Sequence, residues 1–419
     1  MKWGAQGQCK MILFPLYIDP GTGSALFSIA IGIAATAYFL GRTVFLKLKV
    51  FLFRRESVNQ SKYKYVIYAE DKRYWVFFKI ILDEFETRQI EVLYLTSSND
   101  DPVFFSTYSY IKGEYIGQGN KAFSCLNFLS ADVILSTTPD LEVLQWKRSK
   151  TVKHYCHIIH AAGGSLLYRL FALDYFDSIL LSSEDEIHEI RYLESIRGLP
   201  EKQLMVVGNT YFDMCIEKIK QLSSEKENPF TVLVSPSWGP STLLRMYGEK
   251  LLDPLIRTGW HIIVRPHPQS VIVEKPMLDR LAERYRHNPN IRWDYNHDNI
   301  YSLSESDIMI SDFSGIIYDY IFLFDRPVII NLRCLDLRPL DAHCLKQEPS
   351  YLHALRKIGS ELDILKLDSI KDTILDLLQN TELQNTRQEV RKQMWQYQGE
   401  SGKRIVDFLS GIVTKGENI

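Results

Sequence analysis

With 419 residues, 46% of them hydrophobic and 24% charged, the chain has globular composition and length for two domains with their own cores, which excludes a disordered or low-complexity protein. The 49 Lys and Arg against 51 Asp and Glu leave a net charge of -2, so no basic excess marks a nucleic-acid partner. The six cysteines, Cys9, Cys125, Cys156, Cys215, Cys334 and Cys344, contain no C-x-x-C pair; they read as reduced thiols and support neither a disulfide framework nor a zinc site.

From Pro20 to Gly41 runs PGTGSALFSIAIGIAATAYFLG, without a charge and about the length a helix needs to cross a bilayer core. Arg42, Lys47, Lys49, Arg54 and Arg55 follow it, whereas only Lys2 and Lys10 precede it. Positive charge collects on the cytoplasmic side, so the short N-terminus is expected outside and the rest of the chain inside. A cleaved signal peptide would want its charges ahead of the apolar run. Residues 1–58 are therefore expected to form a single-pass anchor, with the span at about 20–41 and a basic segment lying on anionic membrane lipid. Gly21, Gly23, Gly32 and Gly41 equally suit a helix that packs against another in the bilayer.

Past the polar linker Asn59 to Tyr63, apolar runs alternate with helical patterns. Strands are expected at Tyr65–Tyr68, Ile90–Leu95, Val133–Ser136, Tyr155–Ile159, Ile179–Ser182 and Leu204–Val207, and helices at Tyr74–Phe85, Glu184–Arg197 and Tyr211–Gln221. Asn99–Gly119 is irregular, a loop with one strand at most. The charged segment Ser223–Pro229 is the expected domain boundary. Beyond it, strands at Thr231–Val234, Trp260–Val264, Ile291–Trp293, Ile308–Ile310 and Val328–Asn331 alternate with helices at Thr242–Arg257 and Met277–Arg286, and Leu362–Ile412 is helical by its leucine spacing. The expected division is an α/β domain over 64–222, a second over 230–350, and C-terminal helices over 351–415. Two doubly wound parallel-sheet domains facing across a cleft and closed by C-terminal helices describe the architecture called GT-B, to which an N-terminal transmembrane helix is added here; periodicity alone gives only the two doubly wound domains.

In such sheets ligands sit beyond the carboxyl ends of the strands, and three polar loops fall there in the second domain. One is Ser235-Pro236-Ser237-Trp238-Gly239, whose aromatic suits stacking on a base. Another is Arg265-Pro266-His267-Pro268, where two prolines hold a cation and an imidazole in a rigid loop. The third, Asp312 to Gly315, opens a helix whose apolar face is Phe313, Ile316, Ile317, Tyr320, Ile321 and Phe324. A helix start offers unpaired N–H groups and the positive end of a dipole to a phosphate, Ser314 adds a hydroxyl, and Gly315 lets a ligand come close. Asp312 or Ser314 acting only as an N-cap, and His267 as a buried structural histidine, are the plainer alternatives. If functional, His267 would donate to a phosphate oxygen, preferably as the imidazolium.

In the first domain KHYCHIIHAAGG carries His154, His157 and His160 at a strand end. Alternation puts His154 and His160 on one face and His157 on the other, with a helix expected from about Leu166 after Gly163-Gly164. His160, nearest the carboxyl end, suits a general base facing the cleft. No carboxylate or cysteine is spaced to complete a zinc site with these histidines, so no metal is assigned.

The ordered set HIIHAAGG, LLSSEDEIHEI, VVGNTYFD, VSPSWGPS, RPHP and SDFSGIIYDYIFLFDRPVI, from about Lys153 to Leu332, resembles the CDP-glycerol glycerophosphotransferase family, which includes the teichoic acid primases and polymerases. The resemblance implies a GT-B enzyme at the inner face of a bacterial membrane, with no tightly bound cofactor and a nucleotide-activated donor such as CDP-glycerol. It implies His160 as the base for the acceptor hydroxyl, with His267 and Ser314 on the donor pyrophosphate. The hydroxyl would attack the β-phosphorus, transfer glycerol phosphate to a lipid-linked or polysaccharide acceptor, and release CMP. Ser235, Ser237, Trp238, Arg265, Asp312 and Gly315 complete the expected donor side. Gly315 stands where the family usually has a second hydroxyl residue, and Ala161 follows His160 where the polymerases have glycine. The rivals are a GT-B glycosyltransferase or sugar-nucleotide enzyme with a UDP or GDP donor, and a non-catalytic membrane scaffold that keeps the fold. The sequence assigns no oligomeric state.

Overall fold

A computed structural model describes residues 31–42, 44–45, 63–160, 164–222, 229–296, 298–333 and 335–417. The chain divides into two units, Met1–Ser61 and Lys62–Ile419. In the first, residues 31–42 are helical and expose their side chains, among them Ile33, Tyr38, Phe39 and Leu40. Residues 20–30 of the expected span, and the basic segment from 46 to 58, lie outside the described residues. Among the described residues no helix is long and apolar enough to cross a membrane.

In the second unit, short runs of branched apolar residues make two parallel sheets whose faces are both covered, so strands such as TVLV and IMIS are buried throughout. The first sheet contains β1 (Tyr63–Ala69), β2 (Val92–Thr96), β3 (Ile111–Tyr115), β4 (Ser130–Ser136), β5 (Thr151–Ile158), β6 (Ser178–Leu181) and β7 (Gln203–Val206), in the order β3-β2-β1-β4-β5-β6-β7. The second contains β8 (Thr231–Val234), β9 (His261–Val264), β10 (Ile291–Trp293), β11 (Ile308–Ser311), β12 (Val328–Ile330) and β13 (Ser360–Glu361), in the order β10-β9-β8-β11-β12-β13. Chain direction across each sheet reverses once, between β1 and β4 and between β8 and β11. Those two switch points open the crevices where ligands of doubly wound sheets sit.

Past residue 350 the chain forms no separate layer. β13 extends the second sheet, and Tyr351, Leu352 and Leu355 join its core. The last helix, Ser401–Glu417, returns to the first domain, where Ile405, Val406, Leu409 and Val413 pack with Tyr65, Phe78 and Phe85. Gly402 permits that return: a Cβ there would stand 2.8 Å from the Ile80 carbonyl oxygen.

The one strand allowed for in the irregular stretch forms as β3, a short edge strand whose polar residues hide its period; other local expectations change. The helix expected near Leu166 is one 3-10 turn, Ser165–Leu167, and residues 161–163 lie outside the described ones, as do 223–228 at the expected boundary. The helix after β11 spans Ile316–Phe324, beginning past Phe313, because Asp312 draws the preceding turn into other bonds.

Candidate active site

β9, β8 and β11 are neighbours, so the three polar loops lie side by side at one end of the second sheet. Their backbones prolong the ladder: Ser235 N–H donates to Ile310 O at 3.0 Å and Arg265 N–H to Val234 O at 2.9 Å. The buried Ser235 hydroxyl donates to Arg265 O at 3.3 Å, and Ser311 donates to Ser235 O at 2.6 Å. Ser235 thus ties loop to loop.

Asp312 is also spent on the frame. Its carboxylate accepts from Ser237 N at 2.8 Å, Leu243 N at 3.0 Å and Phe313 N at 2.8 Å. It thereby caps the helix Leu243–Arg257, whose own N-cap Thr242 supplies no side-chain bond. Burial raises its pKa, and the three amides oppose that shift. Arg265, expected to face the donor, turns instead towards the end of β10, where Nη1 meets Asp294 Oδ2 at 2.5 Å and Nη2 donates to Asn296 O at 2.6 Å. A buried guanidinium requires a carboxylate partner, and the neighbouring strand end provides one.

His267 caps the helix Pro268–Val273: its Nδ1 accepts from Gln269 N at 3.1 Å. An accepting Nδ1 places the proton of the neutral ring on Nε2. Desolvation first, and then the charge of Arg73, lower its pKa, so the imidazolium expected from the sequence gives way to a neutral Nε2–H donor. Trp238 is 48% exposed, with its ring 6.4 Å from that of His267, and Ser237 is half-buried beside it. Ser314 is buried immediately before the helix Ile316–Phe324. Gly315 has φ -59°, which any residue adopts, and a Cβ there would meet no atom within 4 Å. The helix start therefore faces open space.

On the first domain, His160 stands just past β5. Its Nδ1 is 3.0 Å from the Tyr168 hydroxyl, and its ring meets Tyr74 at 5.2 Å and Phe77 at 5.9 Å. Burial among these rings pushes its pKa down to about 4, which leaves a neutral imidazole with a lone pair. His157 Nε2 is 3.4 Å from the same hydroxyl, while His154 Nε2 is 2.9 Å from Ser178 Oγ. The expected pairing of His154 with His160 fails because β5 ends at Ile158 and strand alternation ends with it. Among the described residues, no group of three or more His, Cys, Asp or Glu could hold a metal ion.

Between the histidines lies a segment to which the sequence alone assigns no site role. Lys72–Tyr74 is a 3-10 turn close after β1. Arg73, paired with Asp71 at 2.8 Å, acts electrostatically on His267, and Tyr74 touches His160. Its position past the first strand end was the available signal.

The family described as CDP-Glycerol:Poly(glycerophosphate) glycerophosphotransferase matches residues 244–337, the stretch that holds His267, Ser314 and Gly315. Comparison with curated proteins gives no match. Among solved structures, the wall teichoic acid polymerase TagF soaked with CDPG is 14% identical, with a TM-score of 0.58 over 92% of this chain and 99% of that one. The S. aureus MnaA structure with UDP is 13% identical, with a TM-score of 0.56 over 84% of this chain and 97% of that one. UDP-GlcNAc 2-epimerase from Neisseria meningitidis bound to UDP-GlcNAc is 14% identical, with a TM-score of 0.51 over 84% and 100%. At these identities the likeness is one of fold, two parallel-sheet α/β domains of GT-B type. The family match thus covers the half of the cleft that holds His267 and Ser314, and the fold around it is shared with a teichoic acid polymerase.

Proposed function

We propose that the protein moves glycerol phosphate, or a similar phosphoalcohol, from a CDP-linked donor to a lipid-linked or polysaccharide acceptor at the cytoplasmic face of a bacterial membrane. The observation that carries this reading is the pairing of a neutral His160 on one domain with a neutral Nε2–H donor, His267, beside the open helix start at Ser314 and Gly315 on the other. His267, the Ser314 hydroxyl and the helix start hold the donor's diphosphate. The acceptor oxygen attacks the β-phosphorus, His160 takes the hydroxyl proton, a new O–P bond forms, and the bond to the CMP phosphate breaks. Trp238 lies at the mouth of the donor side, where a base can stack. Asp312, Arg265 and Ser235 keep the loops in register.

Anchoring through residues 20–41 belongs to the same proposal. It is supported by the uncharged run, by the basic residues after it, and by the exposed apolar side chains of residues 31–42. The UDP-bound fold relatives favour a second reading, a sugar-nucleotide enzyme. Incubating the detergent-extracted full chain with CDP-, UDP- and GDP-linked donors and identifying the released nucleotide decides between them. CMP from CDP-glycerol, lost in His267→Ala, is expected; UDP release, or equal release by that variant, would count against the CDP-linked reading.

A further inference from the structure

A pocket of about 330 Å³ opens in the first domain at the carboxyl ends of β1 and β2, and none of the chemistry above uses it. Its wall carries the carboxylates of Glu70 and Asp71, the Gln118 amide, the Ser97 hydroxyl and the Phe123 ring. It lies beside the first sheet's switch point, where β1 meets β4 and a ligand crevice is expected. Arg73 and Tyr74 also line it, the residues that act on His267 and touch His160 respectively. The pocket therefore adjoins His160 through Tyr74 and shares the Arg73 charge with His267.

Its charge restricts what it can take. Two carboxylates stand against one guanidinium, and Arg73 is already paired with Asp71 at 2.8 Å. Partial desolvation raises the Glu70 pKa, and the nearby Asp71 and Asp140 charges add to the rise. A phosphate there would meet like charge with little compensation. A neutral hydroxyl would find acceptors in the carboxylates, a donor and acceptor in the amide, and in Phe123 an apolar face for its carbon skeleton.

We propose that this pocket binds the uncharged, hydroxyl-bearing end of the acceptor, a polyol or sugar, and rejects an end that terminates in phosphate. The assignment rests on the transferase reading of the cleft. It adds to that reading the residues that hold the attacking alcohol, Glu70 and Gln118, and the exclusion of phosphate from the acceptor side.

Saturation-transfer NMR on the full chain, with CDP filling the donor side, tests this with glycerol and maltose as neutral probes and glycerol 3-phosphate as the charged one. Wild type is expected to bind both neutral probes and to bind glycerol 3-phosphate at least about tenfold more weakly, the scale of one unfavourable charge contact. Glu70 and Gln118 are exposed, so Glu70→Gln and Gln118→Ala preserve the fold. Each should weaken the neutral probes about tenfold, the loss of one hydrogen bond to a desolvated ligand, and Glu70→Gln should strengthen glycerol 3-phosphate binding. Failure of wild type to bind the neutral probes, equal binding of charged and neutral probes, or unchanged neutral-probe affinity in both variants overturns the assignment. CDP titration of the same samples reports on the donor side separately: a wild type that binds maltose but no CDP would reject the donor reading and leave the pocket's preference standing.

Discussion

The Tyr211 hydroxyl lies 3.3 Å from Asp319 Oδ2 and joins the helix after β7 to the helix that starts beside Ser314 and Gly315. Asn299 Nδ2 donates to the same oxygen at 3.1 Å. Tyr211 also stacks on Phe77 with ring centroids 5.4 Å apart, and Phe77 meets His160 at 5.9 Å. A continuous set of contacts therefore runs from the donor-side helix to the candidate base.

Burial pushes the Asp319 pKa up to about 7 from an ordinary value near 3.8, against the opposing bonds from Tyr211 and Asn299. The folded protein holds that proton more tightly than the unfolded chain. Its contribution is complete below about pH 3.8 and is lost as pH rises through about 7. Asp319→Asn removes the titration and keeps an oxygen for Tyr211. The melting temperature of the variant relative to wild type should rise between pH 5 and pH 8, by the equivalent of a few kcal/mol at most, since each tenfold difference in proton affinity between folded and unfolded chain is worth ~1.4 kcal/mol. Glu186, also pushed up to about 7 by burial, titrates in both proteins and cancels in the difference. A flat difference across that range would refute the assignment.

Tyr168→Phe deletes the hydroxyl shared by His160 and His157 while keeping the ring. The His160 imidazole then loses a bond that orients it and keeps its interaction with the Thr137 backbone. Turnover should fall by about tenfold to a hundredfold, a part of the roughly hundredfold to ten-thousandfold that general-base catalysis supplies, with CDP affinity unchanged. A parallel loss of CDP binding would place Tyr168 on the donor side instead.

Because His267 donates from a neutral ring, donor affinity should not depend on its protonation above its lowered pKa. Titration calorimetry between pH 6.5 and 8 with CDP-glycerol, whose doubly substituted diphosphate does not titrate in that range, should give a flat dissociation constant once buffer ionisation is subtracted. A steady weakening as pH rises would mean that the imidazolium is the binding form.

Gly315→Ala adds a methyl group that no protein atom opposes, at a φ of -59° that alanine accepts. Stability should change by no more than about 0.5 kcal/mol, as for a surface substitution. CDP affinity should fall about tenfold or more, because the methyl occupies the space ahead of the helix start. A destabilised variant with intact CDP binding would show that the glycine serves the fold.

The apolar runs VIY, VIL, TVLV, HIIV and IMI fixed most strands, and their ends located the loops holding His160, Trp238, His267 and Ser314, because a buried parallel strand needs a continuous apolar stretch wherever it stands in the fold. The order of those loops along the chain carried the family resemblance. What each polar side chain does was settled only in three dimensions. Asp312 bonds to Leu243 N and Arg265 to Asp294, partners 69 and 29 residues away, and both are drawn inward because a buried charge takes whichever counter-group the packing brings to it. Folding likewise set Arg73 and Tyr74 between the two histidines, and put His157 and His160 on one hydroxyl where strand alternation separates them. Periodicity is a property of neighbours along the chain; protonation state, bonding partner and access to a cleft depend on neighbours across space.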